Sequence, residues 1–238
     1  MANVCPRIRD LGWAFFFAPE TTARADELGL GGLRFYFLGR GGVLGDVDAS
    51  VVGRAFGYFE PSFLEKMWDS ARERVSPRDA ARAYLRCAAE FGRSRFAEID
   101  GLDAYCAAAD LVNETADPTG LALYAAWRTE PLADDPPARA MQLTFLLREL
   151  RGSAHLVAVR ASGLDPLTAH CVHRPQDLAM FGWAADDAVD VTDDDRARWD
   201  AAEGLTDELL LPAYAVLDEA GRRALVAGLD RLESVLAA

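Results

Sequence analysis

Signals for the start of a helix recur along the whole chain, and they constrain its fold more than any other feature. Prolines that can occupy the first turn of a helix open four segments, at Pro61, Pro77, Pro136 and Pro166. Proline is favoured there because the first N–H groups of a helix have no partner within the helix. Apolar residues follow at helical spacing, as in FLEKMW and MQLTFLL. Extended segments are few: LRFYFL, whose context favours a helix, and LLLPAYAVL. The sequence predicts a mainly α fold.

Capping residues and glycines predict where two of these helices begin and end. Ser76 caps the helix that starts at Pro77, and we expect that helix to stop at Gly92. Thr192 and the aspartate three residues later have the spacing of a capping box, and we expect their helix to end at Gly204.

A weak internal repeat predicts two related helical lobes. Pro19 precedes Arg40 by 21 residues in the first half, and Pro131 precedes Arg151 by 20 residues in the second half. An internal duplication would place lobes at residues 1–120 and 121–238 around a pseudo-twofold axis, with Arg40 and Arg151 at equivalent positions. A chance similarity between helical sequences is the alternative.

The C-terminal part of the second lobe has the element order of a winged-helix domain. Over residues 175–238 the patterns predict a helix, a second helix, the extended segment LTDELLLPAYAVL and a long final helix. The segment VLDEAGRRALVAGL resembles the L-[ST]-x-x-G-R signature with which MarR-type winged helices leave the wing, although Asp218 stands where that signature has Ser or Thr.

Two further blocks extend this resemblance over most of the chain. With FAPE…FYFLGRGGVLG and LRELRGSAHLVAVRASGLDPLTAHCVHR, the sequence resembles an actinobacterial "helix-turn-helix family" of two-lobed proteins. Members often carry a second histidine before the Arg-Gly pair, whereas this chain has LREL there. The resemblance implies a winged-helix-like end, and it suggests an enzyme or accessory protein of specialised metabolism or a ligand-responsive regulator.

The charge distribution argues against nucleic acid as a partner. The chain carries a net charge of −13, and residues 184–208 hold ten acidic side chains against two arginines. That segment would include the recognition helix of a winged helix, and such a helix needs contacts with phosphates. We therefore expect that nucleic acid is not a partner. The acidic run also lacks the ligand spacing of an EF-hand calcium loop.

One helix face predicts a site for an anion. If the helix that carries LRELRGSAH continues through its glycine, Arg148, Arg151 and His155 lie at positions i, i+3 and i+7 on one face. Two guanidinium groups near an imidazole suit a carboxylate, phenolate or phosphate. His155 would orient the ligand or move a proton, as the candidate catalytic residue. The alternative is a partly exposed face, with Arg148 paired to Glu149 or to acidic residues on another helix.

The other two histidines allow a metal site as an alternative. The chain has three histidines, and His170 and His173 are spaced to share one face of a helix. With His155 they could form a three-histidine metal site, or one could ligate haem. Structural roles are the simpler reading, so we assign no metal ligand and name no cofactor. His173 is kept as a candidate ligand-binding residue.

The aromatic first half predicts an apolar wall for the same ligand. Core packing explains most of these rings, but a hydrophobic cavity with few polar anchors is the alternative. Arg40 would be the anchor from this lobe, with Tyr36 and Tyr58 beside it. The glycine-rich GRGGVLG lacks G-x-G-x-x-G spacing and predicts a tight bend between helices.

These observations lead to one main hypothesis and two alternatives. The main hypothesis is a small-molecule-binding helical protein that holds an aromatic or apolar ligand with an anionic group by Arg and His, as an enzyme or as an accessory protein. The first alternative is a ligand-responsive winged-helix transcriptional regulator, and the second is a histidine-ligated metal or haem protein. The four scattered cysteines and the lack of an apolar run of about 18 residues predict reduced thiols in a cytoplasmic protein with no membrane contact. A homodimer is compatible with the sequence.

Overall fold

A computed structural model describes residues 4–237, and across this range the chain is helical with no β-strand, which confirms a mainly α fold. The α-helices are α1 (Cys5–Leu11), α2 (Pro19–Glu27), α3 (Arg34–Gly41), α4 (Ala49–Phe56), α5 (Pro61–Arg72), α6 (Pro77–Phe96), α7 (Leu102–Thr115), α8 (Ala122–Trp127), α9 (Pro136–Ala161), α10 (Pro166–His173), α11 (Asp193–Ala215) and α12 (Glu219–Leu236). Three short 3-10 helices span Gly42–Leu44, Pro175–Phe181 and Ala185–Asp187. The first of these, followed by Gly45 at φ +90°, forms the bend that GRGGVLG predicts.

The proline-led helices begin where the sequence predicts. Each has proline in its first turn and a preceding side chain that accepts hydrogen bonds from the first backbone N–H groups; these caps are Glu60, Ser76, Asp135 and Asp165. Such a cap is worth about 1 kcal/mol, since it satisfies donors that the helix itself leaves free. Thr192 and Asp195 form the predicted capping box at the start of α11.

Both predicted helix ends at glycine are wrong. Helix α6 runs through Gly92 to Phe96, and α11 runs through Gly204 to Ala215. At Gly92 the backbones of α6 and α9 approach so closely that a Cβ would overlap the carbonyl oxygen of Pro137. The glycine therefore serves helix–helix packing, for which the sequence pattern carries no separate signal.

The extended segment that would form the wing is also helical. LLLPAYA belongs to α11, and Leu210, Ala213 and Tyr214 are its buried residues at spacings of three and one. Only three residues, 216–218, separate α11 from α12. The apolar residues therefore follow the helical period, and the predicted order of helix, helix, wing and helix does not occur over residues 175–237.

Helix α9 organises the core. It packs against α1, α6, α7, α8 and α11, and its apolar residues surround most of its circumference. The main core includes buried residues from both halves of the chain. A separate small cluster of Ala158, Val159, Leu164, Ala169 and Ala202 joins the ends of α9 and α10 to α11. The boundary at residue 120 stays a prediction.

The cysteines agree with the sequence-based expectation. All four are buried free thiols, and none forms a disulfide within the described residues. Burial raises the pKa of the Cys5 thiol to about 12, which keeps it protonated and unreactive. No helix between residues 4 and 237 is long and apolar enough to cross a membrane.

Candidate functional site

A cavity of about 180 Å³ lies between the α3–α4 region, the middle of α9, the end of α10 and the first half of α11. All seven residues that the sequence predicts for the site line this cavity: Tyr36, Arg40, Tyr58, Arg148, Arg151, His155 and His173. The structure thus brings Arg40 and Arg151 to one cavity, and both are buried. The roles of these residues stay proposals.

The three residues from α9 share a face because α9 continues through Gly152. Spacings of three and seven residues place Arg148, Arg151 and His155 on one side of an α-helix. No atom lies within 4 Å of the position that a Cβ at Gly152 would take. The small residue therefore leaves the helix wall open toward the cavity.

A buried charge cluster forms one end of the cavity. Arg40 donates from Nε and Nη2 to the two carboxylate oxygens of Glu149, both at 2.9 Å, and from Nη1 to the hydroxyl oxygen of Tyr36 at 2.9 Å. Arg148 donates from Nη1 to Glu149 at 2.7 Å. Glu149 is 0% exposed, so two cations share one carboxylate away from solvent. The cluster keeps one positive charge in excess.

The electrostatics of this cluster follow from burial and from its unequal charges. Burial raises the pKa of Glu149, but Arg40 and Arg148 outweigh that effect and hold it below its usual range. Burial and the charge of Arg40 lower the pKa of Arg148. Arginine remains protonated even so, and the cation of Arg148 would therefore be stabilised by an additional anion.

A second cluster of polar residues lies where the cavity meets α11. Arg151 donates from Nη2 to Glu203 at 2.8 Å, and Nδ1 of His155 is 3.0 Å from the hydroxyl of Thr206. The Nε2 atom of His155 is 3.8 Å from Glu203. Burial and the charge of Arg151 lower the pKa of His155 to about 4. The imidazole is therefore neutral at neutral pH, with one nitrogen facing Thr206.

Aromatic rings form the other walls. His173 stacks on Trp199 with ring centroids 4.8 Å apart, and Phe59 stacks on Phe181 at 4.5 Å. His170 contacts Phe181 at 4.4 Å. Burial lowers the pKa of both His170 and His173, so these rings are disposed to remain neutral. The walls therefore suit a flat apolar group.

Several polar atoms of the cavity-lining residues are buried without a hydrogen-bond partner among the described residues. They are Nε of Arg148, Nε of Arg151, the hydroxyl of Tyr58 and Nε2 of His170. An unpaired buried donor costs about 1–3 kcal/mol, so most such groups in proteins are paired. All four belong to residues that line the cavity.

The lining also concentrates positive charge in an acidic protein. Five arginines line the cavity (Arg9, Arg40, Arg148, Arg151 and Arg174), whereas Glu203 is the one acidic residue in that lining. The whole chain has a net charge of −13. This local excess of positive charge attracts anions.

The structure does not assemble the three-histidine metal site. His155, His170 and His173 all line the cavity, but no three metal-ligating side chains among residues 4–237 have the arrangement needed to hold an ion. Trp199 and Phe181 instead lie against these imidazoles. The rings thus pack as part of an aromatic wall.

Sequence reasoning missed the carboxylates and rings that come from distant segments. From the sequence, Glu149 is only an alternative partner for Arg148, Glu203 is one of the ten acidic residues of segment 184–208, and Trp199 has no assigned role. The spacing of Trp199, Glu203 and Thr206 at i, i+4 and i+7 puts them on one helix face. That periodicity could have indicated a face of α11 directed to the interior.

Over residues 4–237 the protein is helical and contains an arginine-rich cavity. The family described as "Helix-turn-helix family" matches residues 3–180, and the chain belongs to that family. No curated protein matches the chain, and no solved structure matches it. The family assignment agrees with the helix-turn-helix part of the resemblance described above.

Family membership corrects the expectation that nucleic acid is not a partner, since a helix-turn-helix family points to DNA binding. The error came from placing the recognition helix in residues 184–208, which lie beyond the matched range. Residues 3–180 carry 20 basic and 24 acidic side chains, whereas residues 181–238 carry 5 and 14. Most of the negative charge therefore lies outside the part that defines the family.

Proposed function

We propose that this protein is a ligand-responsive transcriptional regulator whose cavity binds a small aromatic molecule with a carboxylate. The observation that carries the proposal is the excess of buried arginine around a cavity in which Arg148 and Arg151 each keep an unpartnered Nε. A carboxylate would accept hydrogen bonds from both, and charge-assisted bonds of this kind are worth about 1.5–3 kcal/mol each.

The size and walls of the cavity favour a ligand with one aromatic ring. Its volume is about 180 Å³, and an apolar cavity of about 150 Å³ in another protein holds benzene. The His173–Trp199 and Phe59–Phe181 pairs offer flat surfaces on which such a ring would pack. Tyr58 would donate its unpartnered hydroxyl to a second polar group of the ligand.

The DNA-binding part of the proposal is supported by family membership and by one connection within the matched range. Helices α4 and α5 are joined by residues 57–60, and Gly57 there has φ +84°. A turn of three or four residues that contains glycine is typical of a helix-turn-helix. Tyr58 and Phe59 in this turn line the cavity, so a ligand would contact the turn directly.

Calorimetric titration with benzoate, and with benzamide as the neutral analogue, tests the ligand site. We expect benzoate to bind at least tenfold more tightly than benzamide, and Arg151→Gln to remove that preference. Arg160→Gln is the matched control, because Arg160 is also on α9 but donates to the carbonyl oxygen of Leu164. Equal affinity for the two probes, or equal effects of the two variants, would contradict the proposal.

Selection of bound sequences from a random duplex library at about 0.15 M salt tests DNA recognition, since binding depends on ionic strength. We expect one enriched sequence, and we expect benzoate to change its affinity. Lys66→Glu, on the exposed face of α5, should weaken that binding. A library that shows no enrichment at this salt concentration would refute the regulator.

The state of His155 favours a second candidate, an enzyme or accessory protein of specialised metabolism. Its neutral imidazole, held through Nδ1 by Thr206 beside Arg151, can accept a hydrogen bond at Nε2 from a substrate hydroxyl and so orient it for reaction. The test is NMR of a mixture of aromatic acids incubated with the protein and with His155→Gln. Conversion by the wild type alone would support this candidate, and conversion by neither would contradict it.

A further inference from the structure

We propose that residues 193–208, the first half of α11, form a lid over the cavity, which Glu203 holds closed by acting as an internal anion. This inference rests on the proposed ligand site, whose regulation it describes. We call these residues the α11 lid.

The α11 lid supplies part of the cavity wall from one helix face. Trp199 and Glu203 line the space, and Thr206 binds His155 from one turn further along. Arg151, with 9% of its side chain exposed, pairs with Glu203, whose side chain is 40% exposed. The carboxylate of Glu203 thus reaches inward from the protein surface to the guanidinium on which an anionic ligand would depend.

The α11 lid contributes no residue to the main core. Its fully buried residues are Ala202 and Thr206, both small. Ala202 belongs to the minor cluster, against which the partly buried Trp199 and Leu205 also pack. The second half of α11 is different, because Leu210, Ala213 and Tyr214 are buried in the main core. Segments with few buried apolar contacts open at lower free energy than the rest of a protein.

A hinge lies where these two halves meet. Pro212 is inside α11 and has no N–H to donate to the carbonyl oxygen of residue 208. Prolines at such positions are a common cause of helix bending. The missing bond falls between the last residue of the α11 lid and the part that the main core holds.

The negative charge of the α11 lid would help to keep it closed. The α11 lid contains seven acidic residues and two arginines, and it covers a cavity lined by five arginines. Attraction between the two favours the closed state, and a ligand carboxylate that neutralises Arg151 would weaken it. Ligand binding and lid closure would then compete for one cation.

Hydrogen–deuterium exchange of the protein without ligand tests the lid, and its outcome does not depend on the identity of the ligand. Glu203→Gln should make the amides of residues 193–208 exchange about fivefold faster, as expected for loss of a half-exposed ion pair. Asp200→Asn is the matched control, since it removes the same charge from an exposed position on the same helix. Pro212→Ala should slow exchange in the same amides by restoring the helical bond.

Equal exchange in Glu203→Gln and Asp200→Asn, or acceleration that spreads evenly through residues 209–236, would overturn the lid. Benzoate should also bind Glu203→Gln more tightly than the wild type, and weaker binding to the variant would overturn the competition. If benzoate binds neither protein while the exchange difference is present, the proposed ligand fails and the lid stands.

Discussion

Replacing Glu149 with glutamine tests whether the buried charge cluster is held together as the structure indicates. Glutamine has nearly the same shape, so the substitution leaves no cavity, but it removes the negative charge and replaces one acceptor oxygen with an NH2 donor. Glu149 is 0% exposed and accepts three hydrogen bonds from Arg40 and Arg148. Loss of its charge leaves two guanidinium groups buried with no counterion in the cluster.

Removal of one partner of a buried ion pair destabilises a protein by about 3–5 kcal/mol. For a chain of this length, we expect a fall in Tm of roughly 10 °C. Urea unfolding followed by circular dichroism measures the change in the free energy of unfolding. Asp194→Asn is the control, because Asp194 pairs with Arg198 on the surface. That exposed pair should contribute no more than about 1 kcal/mol.

The pH dependence provides a second measurement of the same effect. The folded pKa of Glu149 lies below its usual value, so its contribution is fully present above the unfolded pKa and is lost as pH falls through the folded pKa. The difference between Glu149→Gln and the wild type should therefore be constant near neutral pH and shrink in acid. A variant within about 1 kcal/mol of the wild type at pH 7 would refute the assigned ion-pair energetics.

Three further predictions follow from burial and packing. For His155, NMR titration should show an imidazole that stays neutral down to about pH 4. Because its folded pKa is lowered, its contribution to stability should be complete above its unfolded pKa and decline in acid. Titration near pH 6.5 would contradict its burial. Gly152→Ala should stabilise the protein by about 0.5–1 kcal/mol in chemical unfolding, whereas Gly92→Ala should destabilise it because the new Cβ meets the carbonyl oxygen of Pro137; the same sign for both would be inconsistent with the packing. All four cysteines should react with Ellman's reagent only as the protein unfolds, and rapid labelling of the native protein would show that they are not buried.

The starts of the helices could be read from the sequence because the signals are local. A proline in the first turn and a capping side chain a few residues away act through bonds within one turn, as at Ser76 and Pro77. The continuation of α9 past Gly152 is similar, since a single glycine in a long helical pattern costs only about 1 kcal/mol relative to alanine. The predictions of the helix ends and of the wing were wrong because packing against other helices determines where these helices end, as at Gly92.

The sequence by itself determined that the chain is helical, and it determined which side chains of α9 share a face. Only the tertiary structure decided what those side chains meet. Glu149 pairs with an arginine 109 residues away, and Arg151 pairs with a glutamate 52 residues away. Periodicity reports the direction of a side chain relative to its own helix, whereas the partner, and with it the charge of the cavity, depends on how distant helices pack.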